Sequence, residues 1–356
     1  MNNKRTFAGV IFSAAFVAGC SAAHVLPNGV DAALSSPGSQ NRATGLHLPS
    51  QRSFGPFYKD GRPGGYPIGQ IVLGPDKNLW FADTSSIGRI TPAGVQTKFA
   101  PNAAGGIIAT GPSRALWFTS FDSLGNPAIS RITTNGSIKN FPIPSGFVIA
   151  LTWGRDNNEW FADNGRDAVG KITPSGTFTE YQLPDAHSHM PVGISRGPDG
   201  NVWFVAVDFY GRSPEVGKVT TGGSITEYPL PSNCAQVTDA IITGSDGNLW
   251  TSAKCPGYAM VSVTTSGTAT VYPVAHPMFE MALGFDHQLW GSFQKYITEF
   301  DTTTHVQAAP IQTPVIGGRE THPWALAASA NGDMWLTANT FNSSNGVGYI
   351  GVYRGR

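Results

Sequence analysis

Seven tryptophans spaced at near-regular intervals constrain this chain more than any other feature. They are Trp80, Trp117, Trp160, Trp203, Trp250, Trp290 and Trp335, separated by 37 to 47 residues. The best copies of the surrounding string are Gly74-Pro-Asp-Lys-Asn-Leu-Trp-Phe81, Gly197-Pro-Asp-Gly-Asn-Val-Trp-Phe204 and Gly244-Ser-Asp-Gly-Asn-Leu-Trp250. A period of this length marks a four-stranded propeller blade. Helical repeats of similar length would need long segments of 3.6-residue periodicity. Gly, Thr, Pro and β-branched residues dominate instead.

Each repeat parses into four strands. An inner strand such as Gly69–Leu73 leads through a Pro-Asp-Lys-Asn turn to a Leu-Trp-Phe strand. Three successive apolar residues there point to both faces, as in a strand packed between two neighbouring blades. A third strand follows (Ile87-Gly-Arg-Ile-Thr91), then a Gly-containing turn. The outer strand (Thr179-Glu-Tyr-Gln-Leu183, Thr226-Glu-Tyr-Pro-Leu230) carries a carboxylate and, in one copy, a Pro, as suits an edge. The seventh repeat stops after its third strand, Val347–Tyr353. A spare outer strand lies ahead of the first repeat at Phe54–Tyr58. The expected fold is all-β: a seven-bladed β-propeller closed by that N-terminal strand in the last blade.

Composition narrows the function classes. Of 356 residues, 23 Lys and Arg balance 23 Asp and Glu, so no basic footprint for nucleic acid exists. Three Cys are too few for a disulfide framework or a Cys-only zinc site. Residues 1–19 read as a signal peptide: Lys4 and Arg5 precede an apolar stretch too short to span a bilayer. Val17-Ala18-Gly19-Cys20 resembles a bacterial lipobox, which implies cleavage before Cys20 and acylation of its thiol. Ser21 resembles an outer-membrane sorting residue. Residues 20–52, small and polar and broken by Pro and Gly, read as an acylated Cys with a flexible tether. The propeller occupies 53–356. The expected location is the cell envelope, anchored to the outer membrane or cell surface, with the domain in the periplasm or outside. The expected state is a monomer.

The string Trp-Phe-x-Asp…Ile-Gly-Arg-Ile-Thr-Pro-x-Gly…Glu-Tyr-x-Leu-Pro resembles the repeats of the virginiamycin B lyase, or streptogramin lyase, family. The resemblance runs over about residues 53–356. It implies elimination-type ring opening of a cyclic depsipeptide across its ester, with a His as base, assisting carboxylates and a magnesium ion on the ester. The family His opens the inner strand in a Pro-His-Gly-Ile motif. The matching positions here are Ile68, Val192, Asp239, Met281 and Trp324. The family Glu ends a Trp-Phe-x-Glu strand. Asp83, Ser120, Asp163, Ala206, Ala253, Phe293 and Ala338 stand there.

Other acid–base residues gather in the loops that enter the inner strands, which strand polarity puts on one face of the disc, the top face. These are His187, His189, His276, Glu280, Glu320 and His322. Glu320-Thr-His322 resembles a family Glu-Pro-His string displaced by two residues. The expected catalytic set is His322, Glu320, His276 and Glu280. The expected binding set is His187, His189, Asp239 and Trp324, for a small-molecule, peptide or glycan ligand. A non-catalytic binding propeller is the alternative reading, and a metal-dependent lactonase a weaker one. Cys234 and Cys255 flank the blade-five hairpin at the same open end, so a disulfide is expected in an oxidising compartment. The recurring Arg89, Arg131, Lys171 and Lys218 read as a solvated face.

Overall fold

The structure, a computed structural model, describes residues 52–59, 69–83, 86–99, 104–143, 146–184, 189–208, 210, 213–340 and 347–354. The proposed signal peptide, Cys20, most of the tether and His187 lie outside the described residues. Among the described residues no helix is long and apolar enough to cross a membrane.

Seven antiparallel sheets form, one per tryptophan. Their inner strands are, for blades one to seven, Ile71–Leu73, Ala104–Gly111, Val148–Trp153, His189–Arg196, Gln236–Thr243, Met281–Leu283 and His322–Ala328. Six blades have four strands. In blade six the outer strand is split into Val306–Gln307 and Ile311–Gln312, both paired with Tyr296–Asp301. Each inner strand contacts that of the next blade, and blade seven meets blade one. There Ile71 packs with Ala325 and Ala327, and Thr337 Oγ1 donates to the Gly69 carbonyl at 2.8 Å. The N-terminal strand Ser53–Lys59 is the outer strand of blade seven, running antiparallel to Val347–Arg354 from Ser53↔Arg354 to Lys59↔Tyr349. Its Pro56 sits at a bulge on this edge, where no ladder donor is needed. The ring therefore closes as the truncated seventh repeat requires.

The repeat string has a physical reason at each position. All seven tryptophans are buried, and five donate their indole N–H to the Asp four residues earlier. Trp80 to Asp76 and Trp160 to Asp156 are 2.9 Å, Trp203 to Asp199 and Trp250 to Asp246 are 3.0 Å, and Trp290 to Asp286 is 3.3 Å. The same carboxylates hold Asn78, Asn158, Asn201 and Asn248, closing the turn. The glycine of the Ile-Gly-Arg-Ile strand lies under the Phe of the second strand. A Cβ on Gly217 would meet the Phe204 ring at 2.0 Å, and one on Gly88 would meet Phe81 at 2.0 Å.

The recurring cations are not simply solvated. Each lies over its blade's tryptophan, 5.0 to 5.9 Å from the ring centre. Each also reaches the hairpin of the next blade. Arg89 donates to the Thr134 carbonyl (2.9 Å), Arg131 to Pro174 (3.2 Å), Lys171 to Thr221 (2.7 Å) and Lys218 to Thr265 (3.2 Å). They are struts between blades. In blade six the charge is inverted. Glu299 faces Trp290 in the register that Arg89 holds opposite Trp80. Arg52, just ahead of the closing strand, supplies the cation: it bonds Glu299, lies 3.7 Å from Asp286 and covers Trp290.

Candidate functional site at the axial ends of the inner strands

The inner strands do not pair evenly with their neighbours. Near the top face the ladder skips in blades two, three, four, five and seven. Bulges of this kind re-aim side chains and recur beside active sites. In blade five the gap is deep: Val237 pairs with Ala253 and the next pair is Ile241 with Thr251. Thr238, Asp239 and Ala240 fill it. Asp239 is exposed in the bulge, and the mass of protein around it raises its carboxyl above the usual range.

Glu280 is half-buried just before the inner strand of blade six. Enclosure first, and then the negative charge of Asp239, push it up to about 8. The inner strands of blades five and six adjoin, which sets the two carboxyls at one blade boundary. Both are held above the usual carboxylate range, so the pair keeps protons that isolated carboxyls would have lost.

The other expected site residues are placed differently. Glu320 is exposed and held 2.5 Å from Lys295, which keeps its carboxyl below the usual range. His322 is half-buried at the start of the blade-seven inner strand, close enough to act electrostatically on Glu320. His276 stacks on Phe293, ring centres 4.8 Å apart, while its backbone is bracketed by the Gln307 amide. Phe293 stacks in turn on Tyr296 at 5.3 Å. His189 lies 3.9 Å from Glu215 in blade four. Trp324 is half-buried in the blade-seven bulge, and its carbonyl accepts from Ser292. Cys234 and Cys255 are disulfide-bonded.

Thus the structure brings Asp239 and Glu280 together, and His322, Glu320 and Lys295 form a second group. Lys295 and Tyr296 carried no signal in the sequence, since neither belongs to a motif, and Phe293 was marked only by its place at the family-Glu position. A groove of about 370 Å³ lies beside His276, lined by Val274, Ala275, His305, Gln307 and Pro310 among others. It includes neither Asp239 nor Glu280, and its lining offers no acid.

Two acids at the family-Glu register serve the fold. Asp83 accepts from the Ser86 backbone and hydroxyl and pairs with Lys98 at 3.2 Å. Asp163 accepts from the Phe147 backbone at 2.7 Å, and burial raises it to about 6. Magnesium needs several hard oxygen donors. Asp239 and Glu280 are the only such pair at the mouth among the described residues, and no group of three His, Cys, Asp or Glu forms a metal cluster there. Were this pair to hold magnesium, ligation would require loss of the proton that enclosure favours on Glu280.

Comparison with known proteins gives the lineage. The model of the virginiamycin B lyase family matches residues 58–299. A virginiamycin B lyase from Nocardia farcinica is 28% identical over 140 residues, 38% of this chain and 48% of the relative, so the match spans about half the length of that protein. The crystal structure of a catalytically inactive virginiamycin B lyase variant from Staphylococcus aureus with quinupristin superposes with a TM-score of 0.67 at 22% identity, covering 84% of this chain and 99% of that one. The extracellular domain of a two-component system of B. thetaiotaomicron gives 0.62 at 10% identity, covering 84% and 40%. At these identities the two structures speak for the fold alone.

Proposed function

Because the chain belongs to the virginiamycin B lyase family, we propose that it opens a cyclic ester by elimination at the top face, with Asp239 as base and Glu280 as acid. The observation that carries this is the pair of carboxyls at the boundary of blades five and six, both raised by enclosure, one of which stands where the resemblance places the family His. The ionised Asp239 removes the proton α to a carbonyl. The freed electron pair forms the Cα=Cβ double bond, and the Cβ–O bond breaks toward the departing carboxylate. Glu280 gives that carboxylate its proton. The product is linear and has the mass of the substrate. Positioned acid and base groups contribute typically 10²–10⁴-fold each. No step here passes through a metal.

The envelope location belongs to the same reading. Cleavage before Cys20 and its acylation would anchor the mature chain. The chain enters the ring at Ser53, paired with the last residues of the blade-seven third strand. That end is opposite the axial mouth. A Cys20→Ala variant that still partitions into membranes would defeat the anchor.

A non-catalytic binding propeller is favoured by one observation: Glu320 and His276 are engaged with Lys295 and Phe293. Incubating the mature protein with a type B streptogramin, with and without magnesium, separates the readings by mass. A ring-opened product of unchanged mass supports elimination. Gain of one water indicates hydrolysis, and no product indicates binding only.

A further inference from the structure

Blade five is pinned covalently at the end that carries Asp239. Cys234 lies just before the inner strand and Cys255 ends the second strand, so their bond crosses the open top of this sheet. Both are buried, at 4% and 7% exposure. Between the bond and the bulge stand only two ladder pairs, Gln236↔Lys254 and Val237↔Ala253, with Ala235 N–H donating to the Lys254 carbonyl at 3.0 Å. Below them three residues face Ser252 alone. Blade two has an equally deep gap, between Ala104↔Ser120 and Ile108↔Phe118, and places only Gly105, Gly106 and Ile107 in it. The crosslink is found where the bulge carries an acid. On its other side Asp239 rests against blade four: a Cβ on Gly193 would lie 1.9 Å from its carbonyl oxygen.

We propose that the Cys234–Cys255 disulfide is a positioning device that holds Asp239 against Glu280, and that its reduction separates the two carboxyls and disables the pair. This rests on the reading of the pair as the functional site. Reduction is a two-electron step. A dithiol attacks one sulfur and is itself oxidised to a disulfide, and both cysteines leave as thiols. With the upper strand end freed, Asp239 loses its fixed place in the bulge, and Glu280 loses the negative charge beside it.

The test reads Glu280 directly. Side-chain carboxyl signals of ¹³C-glutamate-labelled protein are followed against pH, and Glu280 is assigned by the signal lost in Glu280→Gln. In the oxidised protein its midpoint is expected at about 8. In the Cys234→Ala/Cys255→Ala variant it falls by at least about one pH unit, the scale of a neighbouring like charge. A folded variant that titrates at the wild-type midpoint overturns the proposal, because a purely structural crosslink would lower the melting temperature and leave Glu280 alone. Should the double variant not fold, wild type reduced with dithiothreitol under native conditions gives the same comparison. An oxidised wild-type midpoint near the ordinary glutamate value would sink the site itself, which is a separate failure.

Discussion

Glu159 offers the sharpest test of how the ring is held together. It directly precedes Trp160, a position filled by Leu79, Leu116, Val202, Leu249, Leu289 and Met334 in the other blades. It is completely buried, and neither carboxylate oxygen has a hydrogen-bond partner. Burial alone raises its pKa well above the ordinary value of 4.5. The folded protein therefore keeps this proton while the unfolded chain gives it up above pH 4.5. Since the folded state binds more protons, stability falls as pH rises, until the buried carboxyl itself ionises. One such group costs slightly over 1 kcal/mol per pH unit. Between pH 5 and pH 7 this amounts to about 2–3 kcal/mol. Urea unfolding of wild type and Glu159→Leu at pH 5, 6, 7 and 8 measures it. The variant should lose this part of the slope and gain about 2–3 kcal/mol on wild type across that interval. Glu159→Gln, which keeps the shape and cannot ionise, should show the same loss of slope. Equal slopes in all three proteins would refute the argument, and so would a leucine variant less stable than wild type at pH 7.

Other expectations concern the closure, the packing and the site. Arg52→Ala leaves Glu299 with its raised carboxyl beside Asp286 and strips the cover from Trp290. It should cost about 1–3 kcal/mol in chemical unfolding, the range between an exposed and a buried broken pair. Deleting residues 53–59 removes the outer strand of blade seven and should lower the melting temperature of the whole ring, not of one blade. Gly217→Ala forces a methyl into the Phe204 ring and should cost about 1–3 kcal/mol, read the same way. Activity should fall as pH rises through about 8, where Glu280 loses the proton it donates. Asp239→Asn should lose turnover by roughly 10²-fold or more, whereas Asp239→His, which restores a base at that position, should keep it; equal loss in both would remove Asp239 as the base.

The blade count was legible because one tryptophan per sheet is a local requirement. Five of the seven indoles donate to an Asp four residues earlier, and that turn is written in seven consecutive residues. The closing strand was legible for a related reason: an unfinished seventh repeat leaves an unpaired edge that something must cover. The struts were not legible. Arg89 and Lys218 look alike in sequence whether they face water or the next hairpin, and only the spacing between blades decides. Arg52 with Glu299 was further out of reach, because the inverted charge makes sense only when two ends of the chain meet. The site was half legible. Asp239 and Glu280 could be picked as acids near the mouth, but their raised carboxyls depend on a bulge depth that no local string encodes. His276 was picked for its chemistry, and the stacking on Phe293 that occupies it followed from no pattern.

The repeat itself explains where chemistry can reside. Every position that meets a neighbouring blade is constrained by contact on both sides, and a departure there is costly, as the unsatisfied Glu159 and the orphaned indole N–H of Trp335 show. The bulged positions of the inner strands are held less uniformly: Val192 is buried in the core, whereas Asp239 is exposed. Blades two to four place Ile107, Ile149 and Val192 in their bulges, whereas blades five and seven place Asp239 and Trp324 there, with Glu280 just ahead of the blade-six inner strand. The ring is thus uniform where it must bear load and uneven in its bulges. Exchanging Asp239 for the Val found in blade four should leave stability near that of wild type while lowering the titration of Glu280, which enclosure still holds above the ordinary value. A large loss of stability instead would mean that the bulged positions are as constrained as the rest, and that their unevenness reports packing and not function.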